Sequence, residues 1–438
     1  MSAWRGLLLL ALAGSVAACA PTPSKAQATS AATGENTVIA IVNADVHTMA
    51  AAGRLQGATV LIRDGKIAAI GADIEVPAAA EVIDAAGGPV TPGLISSATQ
   101  LGLVEVSSSA DTVDRSGSGG RLGAAFDISR GLNFNSTLIP IARADGLTHG
   151  VVVPSDSAVA PFAGSGVVIN TGIGADLSER GAIGMFAVVS GETTSGSGQS
   201  RSAEWIVLRQ ALAAARDLPA GRSAAQSLQD YLDRADLEAL RPVLAGSVPL
   251  VLRVKRESDV RQAVALGEDF GIRVILYEAT EAWRAADLLA QHRVPVILDP
   301  TDNLPRRFDE IGARLDNAAI LHRAGVPLGF FVGGINMSHN VGIELRQSAG
   351  IAVANGLPRD AALAAITSGA ARIWGIDDHA GALAPGRTAD LVIWNGDPLE
   401  VTSAPVAVLV DGRRAPLETR QTKLRNRYHP RARTPTSF

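Results

Sequence analysis

From Val248 onward, near-continuous apolar runs alternate with amphipathic stretches, and this alternation constrains the fold more than any other feature of the chain. The strand-like runs begin at Val248, Ile272, Val294 and Val326. Helix-like segments such as Glu257–Gly271 lie between them. Alternation of this kind predicts an α/β protein with a parallel sheet covered by helices, and its regular spacing fits a (β/α)8 barrel. The chain is 47% hydrophobic and only 4% aromatic, so aliphatic side chains are expected to fill that core.

Both ends of the chain contain short strand-like segments. Thr37–Met49 and Ala58–Gly71 have the composition of strands, and Asp64-Gly65 within the second range is a hairpin signal. Ala389–Pro398 and Ala404–Arg414 have the same character near the other end. A few strands at one end do not make a stable sheet alone. We therefore expect both ends to meet in one small β domain.

The N-terminal segment combines an early basic residue, an apolar run and small residues before Cys19, which is typical of a secretory signal. Val16–Cys19 also resembles the lipobox of bacterial lipoproteins. That resemblance implies a lipoprotein-type signal peptide over residues 1–19, with Cys19 lipidated and anchored in the membrane. Ala20 then implies a periplasm-facing protein of the cell envelope, at the outer membrane. Residues 20–36 are expected to be a flexible tether. The alternative is an ordinary secretory signal with an incidental cysteine.

The composition of the chain limits the classes of partner that we expect it to bind. The formal net charge of −4 gives no electrostatic case for nucleic acid. Cys19 is the only cysteine, which excludes an intramolecular disulfide. Basic residues are frequent in 421–438, which we expect to be a solvated, flexible tail. The expected partners are a small-molecule ligand or another protein, together with the membrane through Cys19.

Two motifs identify a family resemblance. Val90–Ile95 reads VTPGLI, and Ala380–Arg413 contains Gly381, Pro385-Gly386, Ala389-Asp390-Leu391 and Asp411-Gly412 in order. Together they resemble the amidohydrolase superfamily, in particular its imidazolonepropionase-like and dihydroorotase-like branches. The resemblance implies a (β/α)8 TIM barrel over 94–383. It also implies a composite β-sandwich domain built from 37–93 and 384–420, and hydrolysis of cyclic amide or imide C–N bonds with one or two bound zinc or iron ions.

The metal ligands that the resemblance implies are substituted in this chain. The family carries His-x-His on strand 1, a bridging Lys or Glu near strand 4, one His on each of strands 5 and 6, and an Asp on strand 8. The matching positions are occupied by Ala98, Gln100, Arg253, Glu278 and Gly333. No lysine lies between Lys66 and Lys255, and Glu192 is the nearest carboxylate to the bridging position. Arginine offers no lone pair to a cation, so we expect no metal here.

Arg253 and Glu278 suggest a replacement for the metal. If Val251, Arg253 and Lys255 share one strand face, and Val274, Leu276 and Glu278 share the matching face of the next strand, both charges point into the barrel. We hypothesise that Arg253 and Glu278 form an ion pair that fills the vacated metal site. The alternative is that both side chains are solvated at the mouth without mutual contact.

Two functions remain open at this stage. One is a non-catalytic family member that binds a ligand or partner at the barrel mouth. The other is a hydrolase that works without metal, or with a single atypical metal, through mouth carboxylates. The candidate catalytic residues are Glu278, Glu105, Asp299 and His339, with Asn336 also near the mouth. Structural roles are expected for the other histidines: His47, His149, His292, His322, His379 and His429.

Overall fold

The structure is a computed structural model that describes residues 38–117, 122–155, 161–174, 177–190, 200–217, 232–302 and 304–429. The predicted signal peptide, the lipidation site Cys19, the tether, Glu192 and the end of the basic tail lie outside these residues. No helix within the described ranges is long and apolar enough to cross a membrane.

Strands and helices follow one another along the chain in a mixed α/β order. The strands are β1 Val38–His47, β2 Arg54–Arg63, β3 Lys66–Gly71, β4 Glu81–Asp84, β5 Pro89–Pro92, β6 Leu94–Thr99, β7 Leu147–Val152, β8 Phe162–Asn170, β9 Ser178–Val188, β10 Leu250–Val254, β11 Val274–Glu278, β12 Val296–Leu298, β13 Leu328–Phe330, β14 Leu391–Trp394, β15 Pro405–Val410 and β16 Arg413–Arg414. The helices are α1 Ile139–Ala144, α2 Arg201–Arg216, α3 Arg234–Ala239, α4 Arg241–Leu244, α5 Glu257–Phe270, α6 Ala286–Gln291, α7 Asn317–Ala324, α8 Val341–Ala354, α9 Arg359–Ala365, α10 Ser368–Trp374 and α11 Arg420–Tyr428.

Strands from both ends of the chain join in one sheet, which we call the terminal sheet. Its order is β16-β15-β14-β5-β1-β2-β3, with β4 also paired to β1. The two ends meet where β5 pairs with β14, with Thr91 opposite Val392. Asp64 and Gly65 both have positive φ between β2 and β3, which confirms the predicted hairpin. The hydrogen-bond ladders connect all these strands in a single sheet, and the predicted β-sandwich and domain boundaries remain predictions.

The other sheet, the central sheet, contains β6 to β13 in sequential order. From β9 to β13 the strands are parallel, as predicted. In contrast, β8 pairs antiparallel with both β7 and β9. The connections on either side of β8 are too short for a helical crossover, so an antiparallel path is the available one. The expectation of a uniform (β/α)8 repeat is therefore wrong in this part of the sheet.

The first and last strands of the central sheet approach each other. No ladder joins β6 to β13 within the described residues. However, a Cβ atom added to Gly329 of β13 would lie 2.5 Å from Ser97 Oγ of β6. The glycine therefore allows these two strands to lie side by side.

The two faces of the central sheet carry different cores. Val251, Ile275 and Ile297 belong to a cluster that includes Trp374 of α10. Their neighbours along the strands, such as Leu252 and Leu276, belong to a larger cluster that also contains the buried side chains of the helices. This alternation is the period of two expected for strands covered on both faces.

The start of the basic tail is helical, and the expectation of a solvated, flexible segment remains a prediction. Arg420–Tyr428 forms helix α11. Thr419 and Thr422 cap it reciprocally, each side chain accepting a hydrogen bond from the other residue's backbone N–H. Such a capping box satisfies backbone donors that would otherwise lack partners.

Candidate functional site

A cavity of about 920 Å³ opens at the carboxyl ends of the central strands; we call it the mouth cavity. Active sites of barrel-type α/β proteins form at this end of the sheet. Among the predicted site residues, those that line it are Gln100, Arg253, Glu278, Asp299 and Gly333. Its other charged lining residues are Arg115, Lys255, Asp302, Arg306, Arg307 and Glu310. The aromatic rings of Tyr277 and Phe331, whose centroids are 4.7 Å apart, add an apolar wall.

Arg253 and Glu278 lie within ion-pair distance in this cavity. Arg253 Nε is 3.9 Å from Glu278 Oε1, and Lys255 Nζ is 3.5 Å from Glu278 Oε2. The side chains of Arg253 and Glu278 are 22% and 23% exposed. The contact hypothesised from the sequence is therefore present, and Lys255 joins it as a second cation.

Glu278 reaches the cavity by a different route from the one the sequence suggested. Val274 and Leu276 lie in the helix-side core, so simple alternation would turn Glu278 away from the mouth. Tyr277 faces the cavity instead, and it pairs with Arg253 across the ladder. Glu278 has φ of 66° and Ala279 has φ of 37°. This left-handed backbone, uncommon outside glycine, ends the strand and redirects the Glu278 side chain into the mouth. The predicted shared face of Val274, Leu276 and Glu278 is thus corrected.

Lys255 also belongs to a second ion-pair network. Lys255 Nζ donates to Glu310 Oε1. Glu310 is 1% exposed, and its Oε2 accepts from the backbone N–H of Arg306 at 2.9 Å. Burial alone would raise the pKa of Glu310, but the hydrogen bonds from Lys255 and Arg306 hold it below its usual value. Arg306 also donates to Asp302 Oδ1 at 2.8 Å. Glu310 is therefore a charged, buried support for Lys255.

The remaining polar groups of the mouth are held by local hydrogen bonds. Gln100 Oε1 accepts from Arg115 Nη1 at 3.0 Å. Asp299 Oδ1 accepts from Thr301, both from its backbone N–H at 2.9 Å and from its hydroxyl at 2.6 Å. Asp299 Oδ2 accepts from the backbone N–H of Gly333 at 2.8 Å. Asp299 thus ties together the segments that follow β12 and β13.

Four predicted positions lie outside the mouth cavity. Ala98 is 1% exposed and belongs to the core beneath it. Glu105 accepts from Asn133 Nδ2 at 3.2 Å and from the backbone N–H of Thr137 at 3.3 Å, so it fixes a neighbouring loop. His339 Nδ1 contacts the Ser338 hydroxyl at 2.9 Å and its own turn. Neither Glu105 nor His339 is among the lining residues, and neither is Asn336.

The donor groups of the mouth do not fit the divalent ions that the resemblance implies. Such centres use neutral imidazoles and carboxylates in an open arrangement. Among the described lining residues there is no histidine. Asp299 and Glu310 are bonded through both oxygens, and Glu278 lies against two cations. An added cation would also meet the positive charges of Arg253 and Lys255.

Two histidines assigned structural roles lie together elsewhere, and sequence reasoning missed their proximity. His149 on β7, Glu179 on β9 and His379 after α10 each offer a ligand atom, and these atoms lie within 4.8 Å of one another. Hydrogen bonds that His379 donates to Glu179 and Asp378 outweigh burial and raise the pKa of His379 to about 9. Burial raises the pKa of nearby Asp390 to about 6. No local spacing signals this cluster, because its members come from distant parts of the chain.

Comparisons with known proteins agree with the family resemblance. The family model described as "Amidohydrolase family" matches residues 330–416. Amidohydrolase tasK of Hapsidospora irregularis is 26% identical over 199 residues, covering 44% of this chain. The chain spans only 20% of the length of that relative. Both descriptions name an amidohydrolase, and both matches support membership of the amidohydrolase superfamily.

Solved structures share the fold. An amidohydrolase from Thermotoga maritima MSB8 superposes with a TM-score of 0.75 at 23% identity, covering 86% of this chain and 99% of that one. The structure of a molinate hydrolase gives a TM-score of 0.54 at 15% identity, covering 87% of this chain and 95% of that one. A putative prolidase from Bifidobacterium longum gives 0.50 at 20% identity, covering 86% and 94%. At these identities the likeness concerns the fold alone.

Proposed function

We propose that this amidohydrolase-superfamily protein binds a small zwitterionic ligand in the mouth cavity without metal-assisted hydrolysis there. The observation that carries the proposal is the contact of Glu278 with Arg253 and Lys255. Arg253 and Glu278 lie where the family resemblance implies histidine ligands. The site thereby loses its Lewis acid and gains fixed charges of both signs.

The lining of the mouth cavity supports a ligand with separated charges. Arg115, Arg253 and Arg307 offer guanidinium groups at the cavity surface, and these suit a carboxylate. Glu278 and Asp302 offer carboxylates for an ammonium group. Tyr277 and Phe331 provide apolar contact between them, as small-molecule sites commonly do. Amino-acid derivatives and short peptides have this combination of groups.

We further propose that the central sheet closes into a barrel around this cavity, with the terminal sheet as the composite domain beside it. The close approach of Gly329 and Ser97 supports closure between β13 and β6. Closure would bring Gln100 and Gly333, which follow these two strands, to the same rim of the mouth cavity.

A metal-free hydrolase is the second candidate, because Glu278 and Asp299 line the same cavity. Acid–base hydrolysis needs one carboxyl group that can donate a proton and one that can activate water. Both oxygens of Asp299 already accept hydrogen bonds, and Glu278 contacts two cations. The geometry therefore supports binding better than catalysis.

Calorimetric titration and product analysis with the same compounds test the proposal. The panel contains N-acyl amino acids, dipeptides and cyclic amides. We expect saturable binding of at least one zwitterionic compound, loss of that binding in Arg253→Gln, and no cleavage. Arg130→Gln is the matched control, since Arg130 is 89% exposed and does not line the cavity. Turnover that disappears in Glu278→Gln would contradict the proposal and favour the second candidate.

A further inference from the structure

We propose that His149, Glu179, His379 and Asp390 form a structural site for a divalent transition metal ion, with zinc as the ion that fits best. The site goes beyond the proposed ligand-binding function, because it lies at the opposite end of the central sheet from the mouth cavity. His149 lies in the first half of β7, and Glu179 is the second residue of β9. Asp390 immediately precedes β14 of the terminal sheet.

The spacing of the candidate ligand atoms matches a zinc centre. His149 Nε2 is 3.1 Å from Glu179 Oε1, and His379 Nε2 is 3.5 Å from Glu179 Oε2. Ligand atoms about 2.0–2.2 Å from a tetrahedral zinc ion lie about 3.3–3.6 Å from one another. Small side-chain adjustments would therefore place an ion among these atoms. Imidazole nitrogen with carboxylate oxygen favours zinc over calcium or magnesium, which prefer oxygen alone.

Both histidines are already oriented as metal ligands usually are. Their Nε2 atoms face Glu179, while their Nδ1 atoms contact other groups. His149 Nδ1 is 3.0 Å from the Thr148 hydroxyl, and His379 Nδ1 is 2.6 Å from Asp378 Oδ1. In zinc sites, such partners on the far nitrogen fix the ring and its tautomer. Thr148 and Asp378 would hold the imidazoles in this way here.

Asp390 is an independent indication that a cation belongs in the cluster. Its side chain is 4% exposed, and Oδ1 accepts from the backbone N–H of Asp411 at 2.7 Å. Oδ2 is buried without a hydrogen-bond partner and lies 4.0 Å from His149 Nε2. A buried carboxylate oxygen without a partner is costly. Asp390 lies just outside the group whose ligand atoms are within 4.8 Å of one another. A metal ion bound by His149 and Glu179 would bring a positive charge near this oxygen, and a small shift of the Asp390 side chain would make it the fourth ligand.

A bound ion would connect four separate segments of the chain. His149 and Glu179 belong to the central sheet, whereas Asp390 immediately precedes β14 of the terminal sheet. Four protein ligands would complete a tetrahedral shell, which is the arrangement of structural zinc sites. The expectation from the sequence was that the chain holds no metal ion, and the proposed site departs from that expectation.

Metal binding to the purified protein tests the proposal. After chelator treatment and dialysis, zinc chloride is titrated by calorimetry, and cobalt(II) is followed by its visible absorption. We expect one ion per chain and the intense visible bands of tetrahedral cobalt. His379→Gln and Glu179→Gln should each lower affinity by more than about 100-fold, while Asp378→Asn should lower it by about 10–100-fold. His379 and Glu179 are the positions chosen for substitution because they are partly exposed, whereas His149 is fully buried.

His292→Gln is the matched control, because His292 forms its own ion pair with Glu268 outside the cluster. It should bind zinc as the unmodified protein does. Should a variant fail to fold, the cobalt spectrum of the unmodified protein and the Asp378→Asn titration still decide the question. The proposal is overturned if the unmodified protein takes up no zinc or cobalt, or if the control loses as much affinity as His379→Gln.

Discussion

Arg253 Nε and Glu278 Oε1 lie 3.9 Å apart on neighbouring strands, at positions where the family resemblance implies histidines. Lys255 contacts the other oxygen of Glu278. The three side chains bring two cations and one carboxylate together in the mouth cavity. The first prediction concerns the coupling between Arg253 and Glu278.

A double-mutant cycle of Arg253→Gln and Glu278→Gln should give a modest coupling energy. Both side chains are partly exposed, and pairs of this kind contribute about 0.2–1 kcal/mol. We expect the two single variants to lose ligand binding while they keep most of the free energy of unfolding. Urea denaturation measures the coupling. Strictly additive variants would show that Arg253 and Glu278 do not interact in solution.

Because of Glu310, the free energy of unfolding should decrease as the pH is lowered. Its pKa is lower in the folded protein than the ordinary value of 4.5, so the unfolded state binds more protons as the pH falls. The stabilisation is complete above the ordinary pKa and is lost as the pH falls through the lower folded value. The difference in unfolding free energy between the unmodified protein and Glu310→Gln should therefore shrink in acid. A difference that does not change with pH would refute this account.

Lys255→Met is the control for the pH dependence attributed to Glu310, because it removes the main cation beside Glu310. Breaking a buried pair from one side costs about 3–5 kcal/mol. We expect Lys255→Met to lower the free energy of unfolding by an amount near the lower end of this range, because Lys255 also reaches the cavity.

Gly329→Ala should destabilise the protein by about 1–3 kcal/mol, the usual cost of overpacking. The new methyl group would lie 2.5 Å from Ser97 Oγ and 3.2 Å from Ile373 Cδ1. Adding Ser97→Gly should restore part of the loss, as measured by thermal unfolding. Gly174→Ala is the control, because a Cβ there meets nothing within 4 Å. Equal effects at both glycines would argue against the close approach of β6 and β13.

Sequence patterns predicted much of this fold, and the exceptions have physical causes. Periodicity located β10 to β13, and Asp64-Gly65 marked a hairpin. The antiparallel strand β8 was missed because Gly164 and Gly166 interrupt its apolar pattern. Gly164 has φ of 111°, and a Cβ there would lie 2.3 Å from the carbonyl oxygen of Phe126.

The candidate site was predicted only in part. The convergence of Arg253 and Glu278 followed from neighbouring strands, but the orientation of Glu278 depends on a left-handed backbone that no residue type there signals. The grouping of His149, Glu179 and His379 depends on long-range strand pairing, which local spacing does not contain.

Zinc should raise the thermal stability of the protein through the cluster around Glu179. An ion that binds only the folded state at a hundred times its Kd adds about 2.7 kcal/mol. We expect this increment in the unmodified protein and in His292→Gln, and a much smaller one in Asp390→Asn. Differential scanning fluorimetry with and without chelator measures it. An equal increment in Asp390→Asn would remove Asp390 from the proposed ligands.

The most direct test of the central claim, that the mouth is not a metal centre, is anomalous X-ray diffraction at the zinc edge from crystals grown with zinc. The account predicts a peak among His149, Glu179, His379 and Asp390, and none beside Glu278 and Asp299 in the mouth cavity. A fully occupied zinc peak bound by Glu278 or Asp299 would contradict it.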